Sequence, residues 1–185
     1  MSPTVFFIEG NIGTGKTTFC KQIENLHLEN VQVIFEPVDE WENTKDSNGK
    51  NILQHFYNDM SKNCYLFQSN AFITRFNALK NIDSSKQFVF VERSMYSDKN
   101  VFAKTCYEND MMKDIEWTVY NKWFETLIGN LNISHNFIYL QCSPETSLNR
   151  VKKRNRSSEE NITLDYLTNL HNKHENWLVN NSYIV

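Results

Sequence analysis

The sequence contains few of the residues that build small cross-linked or metal-bound proteins. It has only 4 cysteines, 3 prolines and 5 glycines among its 185 residues. Cys20, Cys64, Cys106 and Cys142 form no close pairs, so neither a zinc knuckle nor a disulfide framework is indicated. We expect reduced thiols in a cytoplasmic protein. No apolar run approaches the length that crosses a bilayer, so no membrane partner is expected.

The chain also lacks an excess of basic residues. Its formal net charge is −3, which argues against a nucleic-acid partner because dedicated binders carry a basic surface. A secretory signal is not expected, since Glu9 and a glycine-rich loop occupy the place of its apolar segment. The length predicts a single domain over residues 1–185.

Most of the scarce glycines lie in one place. Gly10, Gly13 and Gly15 precede Lys16 and Thr17, between an apolar run, "TVFFI", and an amphipathic segment. The pattern G-x-x-x-x-G-K-[ST] predicts strand, phosphate loop and helix. Backbone N–H groups and the helix N-terminus bind phosphate there, the lysine reaches terminal phosphates, and the threonine ligates Mg²⁺. A connector turn is the alternative. The predicted nucleotide-binding residues of this loop (10–18) are Gly10, Asn11, Ile12, Gly13, Thr14, Gly15, Lys16, Thr17 and Thr18.

Five β-rich runs separated by helical patterns predict an α/β protein with a parallel sheet. The runs are "TVFFIE" (4–9), "VQVIFE" (31–36), "QFVFVE" (87–92), "NFIYLQ" (136–141) and "SYIV" (182–185). Further helices are predicted near 51–60, 62–80, 113–129, 144–155 and 163–179, and an exposed loop at 42–50. Ligands of such sheets bind beyond the carboxyl ends of the strands.

Charged side chains follow two of these strands. Glu36 ends the second run, and Glu92 and Arg93 end the third. Phosphoryl transfer needs a magnesium ligand, a base that orients the acceptor and cations that hold developing charge. Glu92 suits Mg²⁺, Glu36 suits the proton of an incoming hydroxyl, and Arg93 can brace both. Ordinary polar caps at strand ends are the alternative.

Five motifs occur together and in order: "GNIGTGKTT", "EPVDEW", "ERSMYSDKNVF", "LQCSPETSLNRVKKRNR" and "LDYLTNLHNKHENWL". With them the chain resembles the deoxynucleoside kinase family, in particular its deoxycytidine and deoxyguanosine kinase group. The resemblance implies a three-layer α/β/α fold, a five-stranded parallel sheet of order 2-3-1-4-5 and an arginine-rich lid at about 150–160. It also implies transfer of the γ-phosphate of ATP, or another nucleoside triphosphate, to a deoxynucleoside 5′-hydroxyl. Either Glu36 or Glu92 is then the base, and Glu36 is favoured.

The resemblance also implies a nucleoside pocket. Gln68, Ala71 and Arg75 share one helix face, and the glutamine amide can pair with a base edge. Arg75 and Asp98 are expected to pair at the base, which predicts deoxycytidine, deoxyadenosine or deoxyguanosine ahead of thymidine. The alternative for Arg75 and Asp98 is an exposed ion pair of little consequence. The alternative for Phe67 and Phe102 is that these aromatic side chains belong to the core and not to the pocket. The predicted substrate-binding residues are Glu36, Trp41, Tyr57, Phe67, Gln68, Ala71, Arg75, Arg93, Asp98, Phe102 and Glu159, with Tyr57 and Glu159 at the sugar 3′-hydroxyl.

The string "RVKKRNR" predicts the lid. Arg150 and Arg154 lie four residues apart on one helix face, with Arg156 just beyond, and all three are expected to contact the donor phosphates. A solvated basic face or a nucleic-acid patch is the alternative. The sequence ends at Val185, before the adenine-binding loop that the resemblance implies, so the donor is expected to be held mainly by its phosphates.

Two helical segments prompt further expectations. In "IEWTVYNKWFETLI" (115–128) the aromatic residues fall on more than one side of a helix, which, with the resemblance, predicts a homodimer. In "HNKHE" the order of His171, His174 and Glu175 matches no zinc motif, so a helix surface is expected.

Three other functions fit the sequence less well than a kinase does. A GTPase would need N-K-x-D, whereas the chain has "NKHE". A thymidylate-type nucleotide kinase would need cations for an acceptor phosphate, where this chain offers Glu36. A non-catalytic kinase-like subunit is disfavoured by five intact residues: Lys16, Thr17, Glu36, Glu92 and Arg93.

Overall fold

A computed structural model describes residues 2–129, 131, 133, 135–156 and 159–180. The described strands form one parallel sheet of order β2-β3-β1-β4. They are β1 (Thr4–Glu9), β2 (Val31–Ile34), β3 (Phe88–Glu92) and β4 (Asn136–Tyr139). The α/β class with a parallel sheet is therefore confirmed. The predicted fifth strand, 182–185, lies outside the described residues, so a five-stranded order stays a prediction.

Helices connect the strands and cover the sheet. They are α1 (Lys16–Glu24), α2 (Val38–Asn43), α3 (Ile52–Asn58), α4 (Met60–Ala78), α5 (Met95–Ser97), α6 (Lys104–Glu108), α7 (Asp114–Ile128), α8 (Pro144–Arg154) and α9 (Leu164–His174). A 3₁₀ turn spans Leu79–Asn81, and wider π-helical turns span Asp98–Ala103 and Glu175–Val179. The wide turn at 98–103 joins α5 to α6, so residues 95–108 form one continuous helical segment.

Two predicted boundaries were wrong. Strand β2 ends at Ile34, two residues before Glu36, because Pro37 follows and Val38 N donates to Glu36 O at 2.8 Å, which turns the chain. The predicted loop at 42–50 begins late, since α2 extends to Asn43. The first difference places Glu36 in a turn instead of at the strand end.

Local side chains determine where several helices begin and end. Asn51 and Gln54 form a reciprocal capping box at the start of α3. The Asp59 carboxylate caps α4 by accepting from Lys62 N at 3.1 Å, which separates α3 from α4. Pro144 occupies the first turn of α8 and Asn155 ends that helix in the left-handed conformation, at φ 53°.

The main core joins the sheet to α4 and α7. Val5 and Phe7 of β1 are fully buried and share one apolar cluster with Phe72, Tyr120 and Phe124. Each fully buried side chain of this size contributes about 1.5–3 kcal/mol relative to exposure. This cluster fixes α4 against the strands whose carboxyl ends carry the candidate site. Among the residues that the structure describes, no helix is long and apolar enough to cross a membrane.

Candidate active site

The phosphate loop has the conformation that its glycines predict. Gly10, Gly13 and Gly15 have φ values of 147°, 81° and 101°, which side chains rarely adopt. Gly13 is also closely packed, because a Cβ there would lie 2.5 Å from Ser147 O of α8. The loop is therefore held against α8 by a contact that only glycine permits.

Lys16 folds back over this loop. Its Nζ donates to Gly10 O at 3.0 Å and to Asn11 O at 2.8 Å, and the residue is 5% exposed. Burial, and then the positive charge of Arg93, lower the pKa of Lys16 to about 7. A bound anion would oppose both effects by stabilising the charged ammonium, so the geometry favours a negatively charged ligand at this point.

Two side chains with oxygen atoms that can ligate a metal ion meet where α1 begins and β3 ends. The Thr17 hydroxyl donates to Glu92 Oε1 at 2.5 Å, and Glu36 N lies 3.4 Å from Glu92 Oε2. A hydroxyl and a carboxylate are the kind of hard ligands that Mg²⁺ takes beside nucleotide phosphates. The Thr17 hydroxyl and the Glu92 carboxylate therefore fit the predicted magnesium position.

Glu36 lies between two arginines. Its Oε1 accepts from Arg75 Nη2 at 3.1 Å and from Arg93 Nε at 3.0 Å. Burial alone would raise the pKa of Glu36, but the charges of Arg93, Arg75 and Lys16 outweigh it and lower the pKa to about 2. The side chain is therefore an ionised hydrogen-bond acceptor at the edge of the cavity.

Arg75 and Asp98 form a buried pair. Arg75 Nε donates to Asp98 Oδ2 at 2.8 Å and Nη2 donates to Oδ1 at 3.1 Å. Their side chains are 3% and 2% exposed, so this is not the exposed ion pair of little consequence. Although burial opposes it, the carboxylates of Asp98 and Glu36 raise the pKa of Arg75. Such planar two-point pairing is geometrically specific.

One cavity of about 1040 Å³ brings the predicted residues together. Its lining includes every predicted site residue except Gly10 and Asn11. Asn11 instead tethers the loop, with Nδ2 donating to Leu167 O of α9 at 2.8 Å. Sequence reasoning missed several lining residues, among them Asp39, Leu53, Phe56, Lys153 and Tyr166. Asp39 lies inside the quoted motif "EPVDEW" and could have been found; the apolar ones look like ordinary core residues.

The aromatic residues belong to both core and cavity. Phe67 is 8% exposed and stacks on Phe56 at 4.7 Å between ring centroids, yet it lines the cavity. Phe102 lies beneath the Arg93 guanidinium, at 4.6 Å from its carbon. The two alternatives weighed from the sequence, core and pocket, are therefore not exclusive here.

The three arginines predicted to form the lid pair within the protein. Arg150 Nη1 donates to Thr14 O of the phosphate loop at 2.9 Å. Arg154 forms a forked pair with Glu159, with contacts of 2.6 to 3.1 Å, and Arg156 lies 3.6 Å from the same carboxylate. Burial, and then the Glu159 charge, raise the pKa of Tyr57.

The prediction that "HNKHE" lies on a helix surface was wrong for His174. His174 is fully buried, and its Nδ1 lies 2.7 Å from Leu170 O. Its ring stacks on Tyr139 at 5.9 Å between centroids. Burial, and then the Arg93 charge, lower the pKa of His174. It is a neutral core side chain.

A phosphate loop with a buried lysine, a hydroxyl–carboxylate pair and a second carboxylate between arginines defines a phosphate-loop kinase. Residues 6–184 match the family model described as deoxynucleoside kinase. The chain is 38% identical to human deoxycytidine kinase over 93% of this chain and 74% of that protein. It is 36% identical to a probable deoxycytidine kinase of fowlpox virus, covering 95% and 72%. It is 33% identical to the mitochondrial deoxyguanosine kinase of Xenopus laevis, covering 92% and 71%.

The chain therefore belongs to the deoxynucleoside kinase family. It is a phosphotransferase of nucleotide salvage that takes its phosphate from a nucleotide donor.

Proposed function

We propose that this kinase transfers the γ-phosphate of ATP, or another nucleoside triphosphate, to the 5′-hydroxyl of deoxycytidine, deoxyadenosine or deoxyguanosine ahead of thymidine. The observation that carries the preference is the buried two-point pair between Arg75 and Asp98 at the cavity. The names of the relatives, deoxycytidine kinase and deoxyguanosine kinase, support the same preference.

The donor side of the cavity holds phosphates. The backbone N–H groups of residues 12–18, the Lys16 ammonium and the guanidinium groups of Arg150, Arg154 and Arg156 supply positive charge there. Thr17 and Glu92 would hold Mg²⁺, which when bound neutralises charge on the phosphate oxygens. Because Arg154 is paired with Glu159 here, its contact with phosphate requires this pair to rearrange.

Glu36 orients the acceptor hydroxyl. Its carboxylate is ionised, lies at the cavity and is fixed by Arg75 and Arg93, so it can accept the 5′-hydroxyl hydrogen bond and then its proton. Glu92 is engaged with the Thr17 hydroxyl, which makes it the poorer base. We therefore assign Glu36 as the base and Glu92 as the magnesium ligand.

Buried hydrogen-bond donors without a partner support binding of a nucleobase at the other side of the cavity. Gln68 Nε2 and Arg75 Nη1 are buried and have no hydrogen-bond partner among the described residues. A ligand bearing acceptors, such as the N3 and O2 of cytosine or the ring nitrogens of a purine, would satisfy them. An exocyclic amine would complement Asp98, whereas thymine has none and brings a methyl group toward the arginine.

A kinase assay with all four deoxynucleosides, ATP and Mg²⁺ tests the proposal. The expected result is a kcat/KM for deoxycytidine, deoxyadenosine or deoxyguanosine about tenfold or more above that for thymidine. Thymidine as the best substrate would overturn the assignment of Arg75 and Asp98. Faster reaction with deoxynucleoside monophosphates would favour the thymidylate-type alternative instead.

A homodimer is proposed through α4 and α7. Of the aromatic residues that suggested it, Tyr120 and Phe124 are buried in the chain's own core. Large apolar side chains nevertheless remain exposed on these two packed helices: Leu66 (57%), Ile73 (41%), Ile115 (67%) and Trp123 (55%). Sedimentation should show a dimer that W123E dissociates, while L26E, at an exposed leucine of the α1 end, should leave it intact. If the unsubstituted protein and L26E both sediment as monomers, the dimer is refuted.

A cytoplasmic location is also proposed. All four cysteines are free, and three of them, Cys20, Cys64 and Cys106, are buried, as in proteins of reducing compartments. Fractionation of expressing cells, with the protein followed by antibody, tests this.

A further inference from the structure

A threonine that does not line the cavity holds one of the side chains that does. Thr74 of α4 is 4% exposed, and Trp41 Nε1 donates to its Oγ1 at 2.8 Å. The same hydroxyl lies 2.8 Å from Asn70 O and 3.1 Å from Ala71 O. Since its single proton goes to one of these carbonyls, its oxygen accepts the indole N–H. The rotation of the Trp41 ring is thereby fixed from α4.

The fixed indole lies between two groups of the nucleoside side of the cavity. Trp41 is 5% exposed and meets Phe67 edge-on, at 5.5 Å between centroids and an interplanar angle of 81°. The guanidinium carbon of Arg75 lies 5.4 Å from the indole centroid. Trp41 thus covers the arginine that pairs with Asp98 while completing the aromatic wall.

We propose that Thr74 is a positioning residue for nucleoside binding and selectivity. Its hydroxyl holds the Trp41 indole in place, and Trp41 in turn holds and shields the Arg75 guanidinium at the base. Without the hydroxyl, the indole N–H would be buried without a partner, so the ring would shift toward the cavity to reach water. That shift would uncover Arg75 and change the shape offered to the base.

This inference rests on the proposed function, because it assumes that a deoxynucleoside base binds beside Trp41 and Arg75. Two substitutions separate the hydroxyl from the bulk of the side chain. T74V keeps the shape and removes the oxygen, whereas T74S keeps the oxygen. T74V is expected to raise KM for the preferred deoxynucleoside about tenfold and to lower its selectivity over the poorest one. KM for ATP should not change, and T74S should stay within about twofold of the unsubstituted enzyme.

A double-mutant cycle shows whether the effect passes through the indole. W41F removes the N–H that Thr74 accepts, so adding T74V to W41F should change KM for the deoxynucleoside by less than about twofold. An equal effect of T74V in both backgrounds would overturn the proposal, and so would a T74V enzyme with unchanged KM. If T74V alone does not fold, a rise in KM for the deoxynucleoside on adding T74V to W41F would still overturn the proposal, because Thr74 would then act without the indole N–H.

The measurement is made with whichever deoxynucleoside the four-substrate assay ranks first. A preference for thymidine would therefore overturn the proposed specificity while leaving the Thr74–Trp41 cycle readable. Conversely, additive effects in the cycle would overturn the role of Thr74 while leaving the proposed specificity intact.

Discussion

The carboxylate of Glu9, at the end of β1, accepts a hydrogen bond from Ser94 N at 2.9 Å, one residue beyond Arg93. Glu9 is fully buried, and Arg93 has the left-handed φ of 65°, which is uncommon for a side-chain-bearing residue. Arg93 N also donates to Ile8 O at 3.0 Å. The end of β1 thus holds the strained turn from which Arg93 reaches Glu36.

Replacing Glu9 tests the importance of that turn. Burial raises the pKa of Glu9, and E9Q keeps the side-chain oxygen that accepts from Ser94 N. We expect E9Q to retain kcat within a few-fold and E9L to lower it at least tenfold, with a stability loss of about 1–3 kcal/mol from the unpaired N–H. Steady-state kinetics and thermal melting measure both. Equal activity in E9L and E9Q would show that Glu9 does not position Arg93.

Substituting Glu36 tests the proposed base. E36Q should lower kcat by about 10²–10⁴-fold while ATP still binds, since the Glu36 carboxylate is hydrogen-bonded to Arg75 and Arg93 and not to the described residues of the phosphate loop. E40Q, at an exposed glutamate on neighbouring α2, is the matched control and should behave like the unsubstituted enzyme. An unchanged kcat in E36Q would move the base to Glu92.

Gly13 and Gly49 offer a matched pair for the close contact between the phosphate loop and α8. Both have positive φ, 81° and 80°, but only at Gly13 would a Cβ meet Ser147 O, at 2.5 Å, whereas at Gly49 nothing lies within 4 Å. G49A should cost only the backbone strain, about 1 kcal/mol. G13A should lose more stability and raise KM for ATP severalfold. Identical behaviour of the two variants would mean that the loop and α8 separate freely.

Neutralising Asp98 tests the role of the buried Arg75–Asp98 pair in recognising the nucleobase. D98N leaves Arg75 without its charged partner on that side, so the kcat/KM advantage of the preferred deoxynucleoside over thymidine should fall about tenfold. D165N removes a carboxylate from an exposed position on α9 and should leave the ratio unchanged. If the kcat/KM ratio is unchanged in D98N, the choice of nucleobase depends on Gln68 and the cavity walls instead.

Much of this arrangement could be predicted because it depends on local patterns. The glycines and lysine at 10–16 determine the loop, and the buried strands bring Glu36, Glu92 and Arg93 to one edge of the sheet. Turns and buried polar contacts were harder to predict. The early end of β2 depends on Pro37, and the wide helical turn at 98–103 has no sequence signature. The burial of Glu9, Thr74 and His174 arises from tertiary packing, which no local pattern encodes.

Cys142 gives the molecule a chemical handle. Three of its four thiols are buried, and Cys142 is only partly so. Its Sγ lies 3.8 Å from Arg150 Nη1, and that arginine also bonds to the phosphate loop. A thiol-directed fluorophore should attach there selectively in the folded enzyme, beside the group that joins the loop to the lid helix. Its emission would then report donor binding in real time, without any engineered cysteine.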